Sequence, residues 1–400
     1  MMPIGTAVHE RTLSLCESLN YREWSGYYAV SAYEAHHEHE YNAIRNAAAL
    51  IDVCPLFKYR VTGRDAARFV DRIITRDVSR MSIGQVFYTP WCDEQGKVID
   101  DGTVSRLGEQ AFRWTAADPS LRWFTQNSAG LDVTIEDISE QVAALALQGP
   151  TSARLLGAVA DADIERLKYF RATSGTIEGV QVDISRTGYT GDLGYELWMD
   201  SGNAVRVFDA LMRGGRPFGI KPAGMLALDV ARVEAGLLLI DVDFFSSRKA
   251  LIPSQTYTPP ELGLGRLVSL DKARFIGQQA LAAEHQRGSR RRIVGLEVEW
   301  PQVEAIYEKL GLAPAVGATA SRAAVPVYRA GGQIGKATTT TWSPLLKKMI
   351  ALATIDAPHF AEGTQLQMEV TVEAVRHRVA ATVVKTPFFN PARKTATPPE

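Results

Sequence analysis

The order of strand-like and helix-like segments constrains the fold of this chain more than any other feature of its sequence. Phe57–Val61 alternates apolar and polar side chains, which is typical of a strand buried on one face. A helix is predicted from Asp65, because the apolar residues after it recur at helical spacing. Val86–Cys92 and Val98–Val104 are predicted to form a hairpin. Because strands and helices follow one another without regular alternation, we expect an α+β fold rather than a doubly wound parallel sheet.

A similar mixture of segments continues through the rest of the chain. A strand is predicted over Val142–Leu147 and a helix from Thr151, and a long helix with one apolar stripe is predicted from Pro222. The last part of the chain holds short strand candidates between Gly and Pro turns, which are typical of a small β-barrel or sandwich. These candidates are Ile293–Trp300, Val325–Tyr328, Gln333–Thr338, Ile350–Ile355, Gln365–Val372 and Val379–Val384.

Composition excludes several classes of function. The chain has 400 residues, too many for one small domain, and its formal charge of -1 provides no basic field to hold a nucleic acid. Three scattered cysteines, Cys16, Cys54 and Cys92, fit a reducing compartment, so we expect a cytoplasmic protein. No apolar run approaches the roughly 20 residues that span a bilayer. We therefore expect neither a nucleic-acid partner nor a membrane partner.

Three further polar segments include one candidate metal site, one predicted linker and one predicted loop. Glu34–Glu40 holds three histidines and three glutamates, but it lacks the His-Glu-x-x-His spacing of a metal site, so we predict a charged helix face and no bound metal. Arg287–Arg292 is predicted to be an exposed linker. Asp241–Leu262 is polar and rich in proline, which predicts a long loop, and loops of this length are often functional.

The densest polar signal is the glycine-rich segment Ser185–Leu197. Its glycines permit backbone angles that other residues avoid, and Tyr189 and Glu196 supply an aromatic face and a carboxylate. A carboxylate accepts two parallel hydrogen bonds from the amino edge of a pterin or guanine, and a tyrosine packs against such a ring. An ordinary glycine-rich turn with a surface glutamate explains the same residues equally well.

A second signal is the pair of acids Asp100 and Asp101. Neighbouring side chains of a strand point to opposite faces, so only one of the two acids enters a pocket. Such a carboxylate would act as a general base or stabilise a cationic intermediate. Taken alone, the pair is more typical of a simple turn.

Together these segments resemble the glycine cleavage T-protein (aminomethyltransferase) family of tetrahydrofolate-dependent one-carbon transferases. The resemblance implies a folate-binding α+β region of two subdomains, expected at 1–145 and 146–288, and a C-terminal β-barrel at 289–400. The three lobes would surround a central folate channel. The matching motifs are Glu40–Arg45, Leu50–Val53, Glu94–Gly96 with Ile99–Asp101, Leu147–Pro150, Ser185–Leu197, Arg232–Gly236, Phe275–Gly277, Thr341–Pro344 and Pro387–Phe389.

The resemblance also implies roles for single residues. Asp101 matches the catalytic aspartate, and Glu196 matches the acid that binds the pterin. Tyr88 and Tyr189 match aromatic positions that line the folate and donor sites, so Tyr189 joins Asp101 as a catalytic candidate. N5 of tetrahydrofolate would attack an activated carbon of the donor, with the protein positioning both partners and handling a proton.

The chain departs from the family at several positions. Leu228 stands where the family has an arginine that pairs with the folate tail, and a leucine cannot pair with a carboxylate. Arg232 lies one helical turn further on and is a candidate substitute, although a structural ion pair with Glu234 or another acid is the stronger expectation. Cys54-Pro55-Leu56 replaces the usual Ser-His-Met, and the loop from Asp243 adds Phe244, Phe245 and Tyr257.

These departures favour relatives that demethylate small molecules. Our first hypothesis is therefore transfer of a methyl or methylene group from an O-, S- or N-linked small-molecule donor to N5 of tetrahydrofolate. The alternative is the glycine cleavage aminomethyltransferase, which acts on the aminomethyl-lipoyl group of H-protein. A third hypothesis, of another class, is a folate-binding module without catalysis, against which the presence of Asp101 argues.

Overall fold

The structure, a computed structural model, describes residues 2–397. The α-helices of this part are α1 (His9–Leu15), α2 (Glu38–Asn46), α3 (Ala66–Ile73), α4 (Leu121–Asn127), α5 (Ser152–Val159), α6 (Ala204–Gly214), α7 (Met225–Glu234), α8 (Gln278–Arg287) and α9 (Trp300–Lys309). Among these described helices, none has the length and apolar character needed to cross a membrane.

The strands of residues 2–397 fall into four sheets. They are β1 (Asn20–Trp24), β2 (Tyr27–Ala32), β3 (Ala48–Asp52), β4 (Phe57–Thr62), β5 (Val86–Cys92), β6 (Val98–Gly108), β7 (Ala111–Ala116), β8 (Thr134–Asp137), β9 (Val142–Gln148), β10 (Ala160–Asp161), β11 (Ala172–Ile177), β12 (Val180–Ser185), β13 (Gly194–Asp200), β14 (Ile220–Pro222), β15 (Arg291–Val298), β16 (Val325–Arg329), β17 (Gly332–Ser343), β18 (Lys348–Asp356), β19 (Gln365–Val372) and β20 (Val375–Val384). Strands β1 and β2 form a separate two-stranded sheet.

A seven-stranded sheet has the order β10-β11-β12-β13-β9-β3-β14, and its central strand β9 is buried on both faces. The side chains of β9 alternate between two apolar clusters. Leu145 and Leu147 pack with residues of α5 and α6, whereas Ala144 and Ala146 pack with residues of α2 and α7. Burial on both sides explains why the β9 sequence is almost continuously apolar.

A second sheet of five strands, β5-β6-β7-β4-β8, contains the predicted hairpin as β5 and β6. All its neighbouring strands run antiparallel. Phe69 of α3 and Phe124 of α4 cover one face, where they join Trp91 and Trp114, whose ring centroids lie 5.2 Å apart. The helix predicted from Asp65 is α3, with Asp65 as its N-cap residue.

The C-terminal strands close into a barrel in the order β15-β18-β17-β16-β19-β20. Buried apolar side chains, among them Leu296, Val327 and Met368, form its core. This closure decides between the two predicted architectures in favour of the barrel, and it completes the α+β fold class expected from the sequence.

Two predicted boundaries differ from the structure. Pro222 ends β14, where it pairs with Leu50 of β3, so the helix predicted from Pro222 begins at Met225. The expected division after residue 145 falls inside β9, which pairs with β3 on one side and β13 on the other. The seven-stranded sheet therefore takes strands from both predicted subdomains, because β3 returns to it from the N-terminal part. The division after residue 288 falls between α8 and β15.

The basic run Arg287–Arg292 was expected to be an exposed linker, and the structure corrects this expectation for its second half. Arg291 and Arg292 begin strand β15. The guanidinium carbon of Arg291 lies 3.8 Å from the centroid of the Tyr257 ring. Arg291 therefore attaches the long loop to the barrel by a cation–π contact.

Helix α7 joins the lobes through the carboxylate of Glu234, which is fully buried. Arg45 of α2 donates to Glu234 Oε2 from Nε at 2.9 Å and from Nη2 at 2.7 Å. The hydroxyls of Tyr41 and Ser343, the latter on barrel strand β17, each donate to Glu234 Oε1 at 2.5 Å. One carboxylate thus contacts the N-terminal region and the barrel, and its charge is compensated by the Arg45 guanidinium.

A second buried carboxylate, Asp192, ties the glycine-rich segment to the C-terminal residues. Arg393 donates to Asp192 from Nε at 2.7 Å and from Nη2 at 2.8 Å. Arg186 donates in turn to the backbone oxygen of Lys394 at 3.3 Å. The residues after the barrel therefore pack back onto the loop between β12 and β13.

Replacement of Arg45 by methionine is expected to lower the free energy of unfolding by about 3–5 kcal/mol, because it leaves Glu234 as an uncompensated buried charge. Urea unfolding followed by tryptophan fluorescence measures this loss. The matched control is Arg60→Met, which removes a pair with Glu136 whose side chains are 54% and 46% exposed. The control substitution should lower the free energy of unfolding by less than about 1 kcal/mol. Equal losses in the two variants would contradict the role given to Glu234.

Candidate functional site

The sheet pairing of β5 and β6 places Tyr88 beside Asp101. Tyr88 lies opposite Thr103, two positions from Asp101 along β6, so the two side chains share a face of the sheet. The Tyr88 hydroxyl donates to Asp101 Oδ2 at 2.6 Å. Both side chains are half-buried. The structure therefore brings together two of the residues expected in the site.

Asp100 points to the opposite face, as strand alternation predicts, and is fully buried. Its Oδ2 accepts hydrogen bonds from the backbone nitrogens of Ala117 at 3.1 Å and Asp118 at 3.0 Å. Its Oδ1 accepts from the nitrogen of Asp101 at 2.8 Å. These bonds fix the turn after β7 and the end of β6, so Asp100 is a structural residue and Asp101 is the acid available for chemistry.

Burial raises the pKa of Asp101 from its ordinary value to about 6, while the hydrogen bond from Tyr88 acts in the opposite direction. The carboxyl therefore changes its charge close to neutral pH. A group with this property both accepts and returns a proton under physiological conditions. Asp101 is thus suited to acid–base work in a way that an exposed aspartate is not.

Tyr189 lies on the loop between β12 and β13 and is half-buried. Its hydroxyl donates to the backbone oxygen of Leu238, just beyond α7. Burial raises the pKa of Tyr189, and the nearby charge of Asp101 adds to this shift. Tyr189 therefore stays a neutral phenol, and its anchored hydroxyl fixes the position of its ring.

Glu196 lies on β13 and is half-buried. The Thr187 hydroxyl donates to Glu196 Oε2 at 2.5 Å, which leaves Oε1 without a donor among residues 2–397. Burial raises the pKa of Glu196, whereas Thr187 and then the charge of Arg113 lower it. The free oxygen is the atom of this site that would accept a hydrogen bond from a ligand.

Sequence reasoning missed Arg113, which joins the two sheets next to Glu196. Arg113 of β7 donates to Asp183 of β12 at 2.7 Å, and its guanidinium carbon lies 4.6 Å from the centroid of the Trp198 ring. The positive charge of Arg113 faces Glu196 across the sheet junction. The sequence pattern around Arg113 indicated this role only weakly, because an arginine inside an alternating strand normally faces outward.

Gln148 entered the sequence analysis only as part of the motif Leu147–Pro150, but in the structure it organises the glycine-rich segment. It is fully buried and accepts a hydrogen bond from the Thr190 hydroxyl at 2.8 Å. A Cβ atom at Gly188 would lie 2.0 Å from the Gln148 side chain, and one at Gly194 would lie 2.3 Å from it. Close packing against Gln148 thus requires glycine at both positions. The spacing of these two glycines was the feature of the sequence that indicated this packing.

Arg232 forms the structural ion pairs that were the stronger expectation, rather than standing free as a candidate contact for a folate tail. Its side chain is fully buried, and it forms ion pairs with Asp229 at 3.4 Å and Asp243 at 2.5 Å. A third bond runs from Nη2 to the Thr339 hydroxyl at 3.0 Å. The guanidinium is therefore occupied in joining α7 to the loop and the barrel. Its partners are Asp229 and Asp243 rather than Glu234, which pairs with Arg45 instead.

The other departures from the family are also mostly buried. Cys54 packs in the apolar core with its thiol 3.4 Å from the backbone oxygen of Ala144. Phe244 and Tyr257 of the long loop are each 1% exposed. Leu228 is 8% exposed and lies in an apolar cluster. These side chains serve packing, so they do not form the altered donor site that the sequence led us to expect.

The described residues contain no group of three His, Cys, Asp or Glu side chains placed to hold a metal ion. The His-rich segment Glu34–Glu40 runs into helix α2, where Glu40 is buried. Its carboxylate accepts hydrogen bonds from the backbone nitrogens of Tyr33 and Gly224, each at 2.7 Å. Glu40 is therefore committed to the packing of α2 rather than to a ligand.

Comparison with known proteins assigns the chain to a family. The profile of the GCVT N-terminal domain matches residues 9–272, and that of the glycine cleavage T-protein C-terminal barrel domain matches residues 309–390. An aminomethyltransferase of Caldanaerobacter subterraneus subsp. tengcongensis is 34% identical over 82% of this chain and 82% of its own length. An aminomethyltransferase of Bacillus pumilus is 33% identical over 88% of this chain and 90% of its own.

A solved structure has the same fold. The glycine cleavage system aminomethyltransferase T from Bartonella henselae superposes with a TM-score of 0.80 at 22% identity, covering 97% of this chain and 98% of that protein. The two matching domain profiles and the long alignments with curated relatives agree with this likeness. The chain belongs to the glycine cleavage T-protein family.

Proposed function

We propose that this protein is a tetrahydrofolate-dependent aminomethyltransferase that acts on the aminomethyl-lipoyl group of H-protein. The methylene carbon passes to tetrahydrofolate, and ammonium and a free lipoyl thiol are released. The observation that carries the proposal is the similarity to relatives named aminomethyltransferase, at 34% and 33% identity over most of the chain. The paired Tyr88 and Asp101 supply a suitable acid at the expected position.

This proposal takes the alternative from the sequence analysis in preference to small-molecule demethylation. The demethylase hypothesis rested on Cys54, Leu228 and the aromatic loop. Cys54, Phe244 and Tyr257 are buried in apolar clusters, so they do not argue for a changed donor. Phe245 of the same loop is half-buried and lies outside these clusters. The missing charge at Leu228 concerns the folate tail rather than the donor.

The residues present fit a bound folate. Tetrahydrofolate, when bound, supplies the nucleophilic nitrogen. Glu196 would accept hydrogen bonds from the pterin amino edge at its free Oε1, while Thr187 holds Oε2. Asp101 would accept the proton released by the attacking nitrogen, and Tyr88 would orient the Asp101 carboxylate. Tyr189 would hold an aromatic face beside these groups.

The direct test incubates the protein with tetrahydrofolate and aminomethyl-lipoyl H-protein and measures methylene-tetrahydrofolate and ammonia. We expect both products in equal amounts. Parallel reactions with O-, S- and N-methylated small molecules measure methyltetrahydrofolate. Product from these donors alone would favour the demethylase, and folate binding without any product would favour a non-catalytic module.

Asp101→Asn is expected to reduce turnover by about 10²–10⁴-fold, the usual contribution of a positioned acid–base group. Tetrahydrofolate affinity should change little, because an asparagine keeps the shape of the side chain. Steady-state kinetics and calorimetry on the same sample separate the two quantities. Asp118→Asn is a control at a second aspartate near the same strand ends, and it should keep normal turnover. Turnover by Asp101→Asn at the control rate would refute the role of Asp101.

Tyr88→Phe is expected to shift the acid limb of the kcat/KM profile to higher pH. The carboxylate of Asp101 is the active form, so activity falls as pH drops through its pKa of about 6. Loss of the Tyr88 hydrogen bond destabilises that carboxylate and raises its pKa by roughly one unit. The control is Tyr195→Phe, since the buried Tyr195 hydroxyl has no partner among the described residues. If the acid limb of the kcat/KM profile stays at the same pH in Tyr88→Phe, Asp101 is not the group that sets the pH dependence.

Glu196→Ala is expected to weaken tetrahydrofolate binding by about 2–3 kcal/mol, because a charge-assisted hydrogen bond is lost. Calorimetric titration with tetrahydrofolate measures the change. The control is Glu165→Ala, at an exposed glutamate outside the site. If both variants bind folate as the unaltered protein does, Glu196 does not contact the pterin.

A further inference from the structure

Arg113 lies on the face of the five-stranded sheet that carries Tyr88 and Asp101. It is opposite Ser105 in the register of β6 and β7, and Ser105 lies four positions after Asp101 on β6. Side chains an even number of positions apart share a face of a strand, and directly opposite partners on neighbouring strands do the same. The arginine therefore belongs to the candidate site as well as to the junction between the two sheets.

On the opposing sheet, Arg113 contacts the row of side chains that contains Glu196. Its guanidinium binds Asp183 and lies over the Trp198 ring. Asp183 is opposite Trp198 in the register of β12 and β13, and Trp198 lies two positions after Glu196 on β13. The cation of Arg113 and the carboxylate of Glu196 therefore lie on facing surfaces of the two sheets.

A chain of hydrogen bonds from Trp198 ends on the Glu196 carboxylate. The indole Nε1 donates to Ser185 Oγ at 3.2 Å, and Ser185 Oγ lies 2.9 Å from Thr187 Oγ1. Because the Thr187 hydroxyl donates its one hydrogen to Glu196 Oε2, the Ser185 hydroxyl is the donor to Thr187. The donors of this chain thus point toward Glu196, and such an arrangement stabilises a charged carboxylate.

The positive charge of Arg113 is only partly compensated by Asp183. Nη1 of Arg113 donates to Asp183, whereas Nε and Nη2 are buried without a hydrogen-bond partner among residues 2–397. The Arg113 side chain is 6% exposed and that of Asp183 is 33% exposed, so water screens the carboxylate more than the guanidinium. An arginine stays protonated in proteins, so a positive potential acts on the interior of the junction.

Glu196 is an acid on which this potential acts. Burial raises the pKa of Glu196, and Thr187 and then the charge of Arg113 oppose this shift. No nitrogen of Arg113 donates to Glu196 within residues 2–397, so Arg113 acts on it through its charge. The neighbour of Glu196 on β9 is the uncharged Ala146. The charged and titratable side chains that the other elements bring to the site are Arg113 on β7, Asp183 on β12, Asp101 on β6, Tyr88 on β5 and Tyr189 on the β12–β13 loop.

We propose that Arg113 is a positioning residue that keeps Glu196 in its charged form and thereby extends tetrahydrofolate binding to lower pH. This inference rests on the proposed function, because Glu196 acts on the pterin of that folate. A charged carboxylate accepts hydrogen bonds at both oxygens, whereas the protonated acid carries a donor at one of them. Affinity therefore falls as the pH drops through the pKa of Glu196, and a change that raises this pKa moves the fall to higher pH.

The test measures tetrahydrofolate affinity by anaerobic calorimetry from about pH 5 to about pH 8. In Arg113→Met we expect the fall in affinity to begin roughly one pH unit higher than in the unaltered protein, because a nearby opposite charge lowers a carboxyl pKa by about this amount or more. Arg113→Lys keeps the positive charge and should restore the normal pH dependence. Titration of the ligand itself is common to all variants and cancels in the comparison.

The matched control is Asp183→Asn, which breaks the same ionic contact between the sheets but keeps the positive charge and removes a negative one. Its fall in affinity should begin at lower pH than in the unaltered protein, opposite in direction to the shift in Arg113→Met. Glu196→Gln should lack this fall, and addition of Arg113→Met to Glu196→Gln should bring no further shift. Urea unfolding of each variant at each pH checks that folded proteins are compared, and Arg113→Gln replaces Arg113→Met if that variant does not fold.

Three results would overturn the role given to Arg113. They are a loss of affinity by the same factor at every pH in Arg113→Met, shifts of Arg113→Met and Asp183→Asn in the same direction, and a shift that persists in the Glu196→Gln background. Each of these results leaves methylene transfer intact, because they concern only the pH range of binding. An unaltered protein that binds no tetrahydrofolate at any pH would instead remove the proposed function.

Discussion

The buried carboxylate of Glu234 is the interaction on which the arrangement of the lobes depends. Its partners Tyr41, Arg45 and Ser343 lie 193, 189 and 109 positions away in the chain. A desolvated charge tolerates little displacement of its donors, because an unpaired buried ion is far more costly than a lost surface pair. Helix α7 is therefore held against both α2 and the barrel. The loops that follow these elements are fixed in position as a result.

The candidate site lies on two sheets whose relative position is set by a second ionic contact. Tyr88 and Asp101 come from the five-stranded sheet, and Glu196 comes from the seven-stranded sheet. Arg113 and Asp183 connect the sheets at 2.7 Å. The proposed transfer to folate would need an acid at the reacting nitrogen and an acceptor at the pterin edge, held in one geometry. Side chains on paired strands provide that geometry with little freedom to move.

Much of the fold and of the candidate site was predictable from sequence. The features that were not predictable depend on contacts between distant segments. Local patterns located helix α3, the hairpin and the barrel strands, because periodicity reflects burial of one face. Alternation correctly separated Asp100 from Asp101. The sequence could not show that β3 joins the seven-stranded sheet or that Arg232 is buried between Asp229 and Asp243. The pairing of β3 and the contact of Arg232 with Asp243 depend on the tertiary fold, whereas Asp229 lies only three positions before Arg232 on α7.

The pairing of Asp192 with Arg393 has a consequence for folding during synthesis on the ribosome. These residues lie 201 positions apart, so the loop that carries Tyr189 emerges long before its anchoring cation is synthesised. At ordinary elongation rates the interval is about 10–40 s. During that time the nascent chain holds Asp192 without Arg393, and the loop that carries Tyr189 lacks this ion pair. The loop that carries Tyr189 therefore gains this contact late in translation, after the barrel strands have been synthesised.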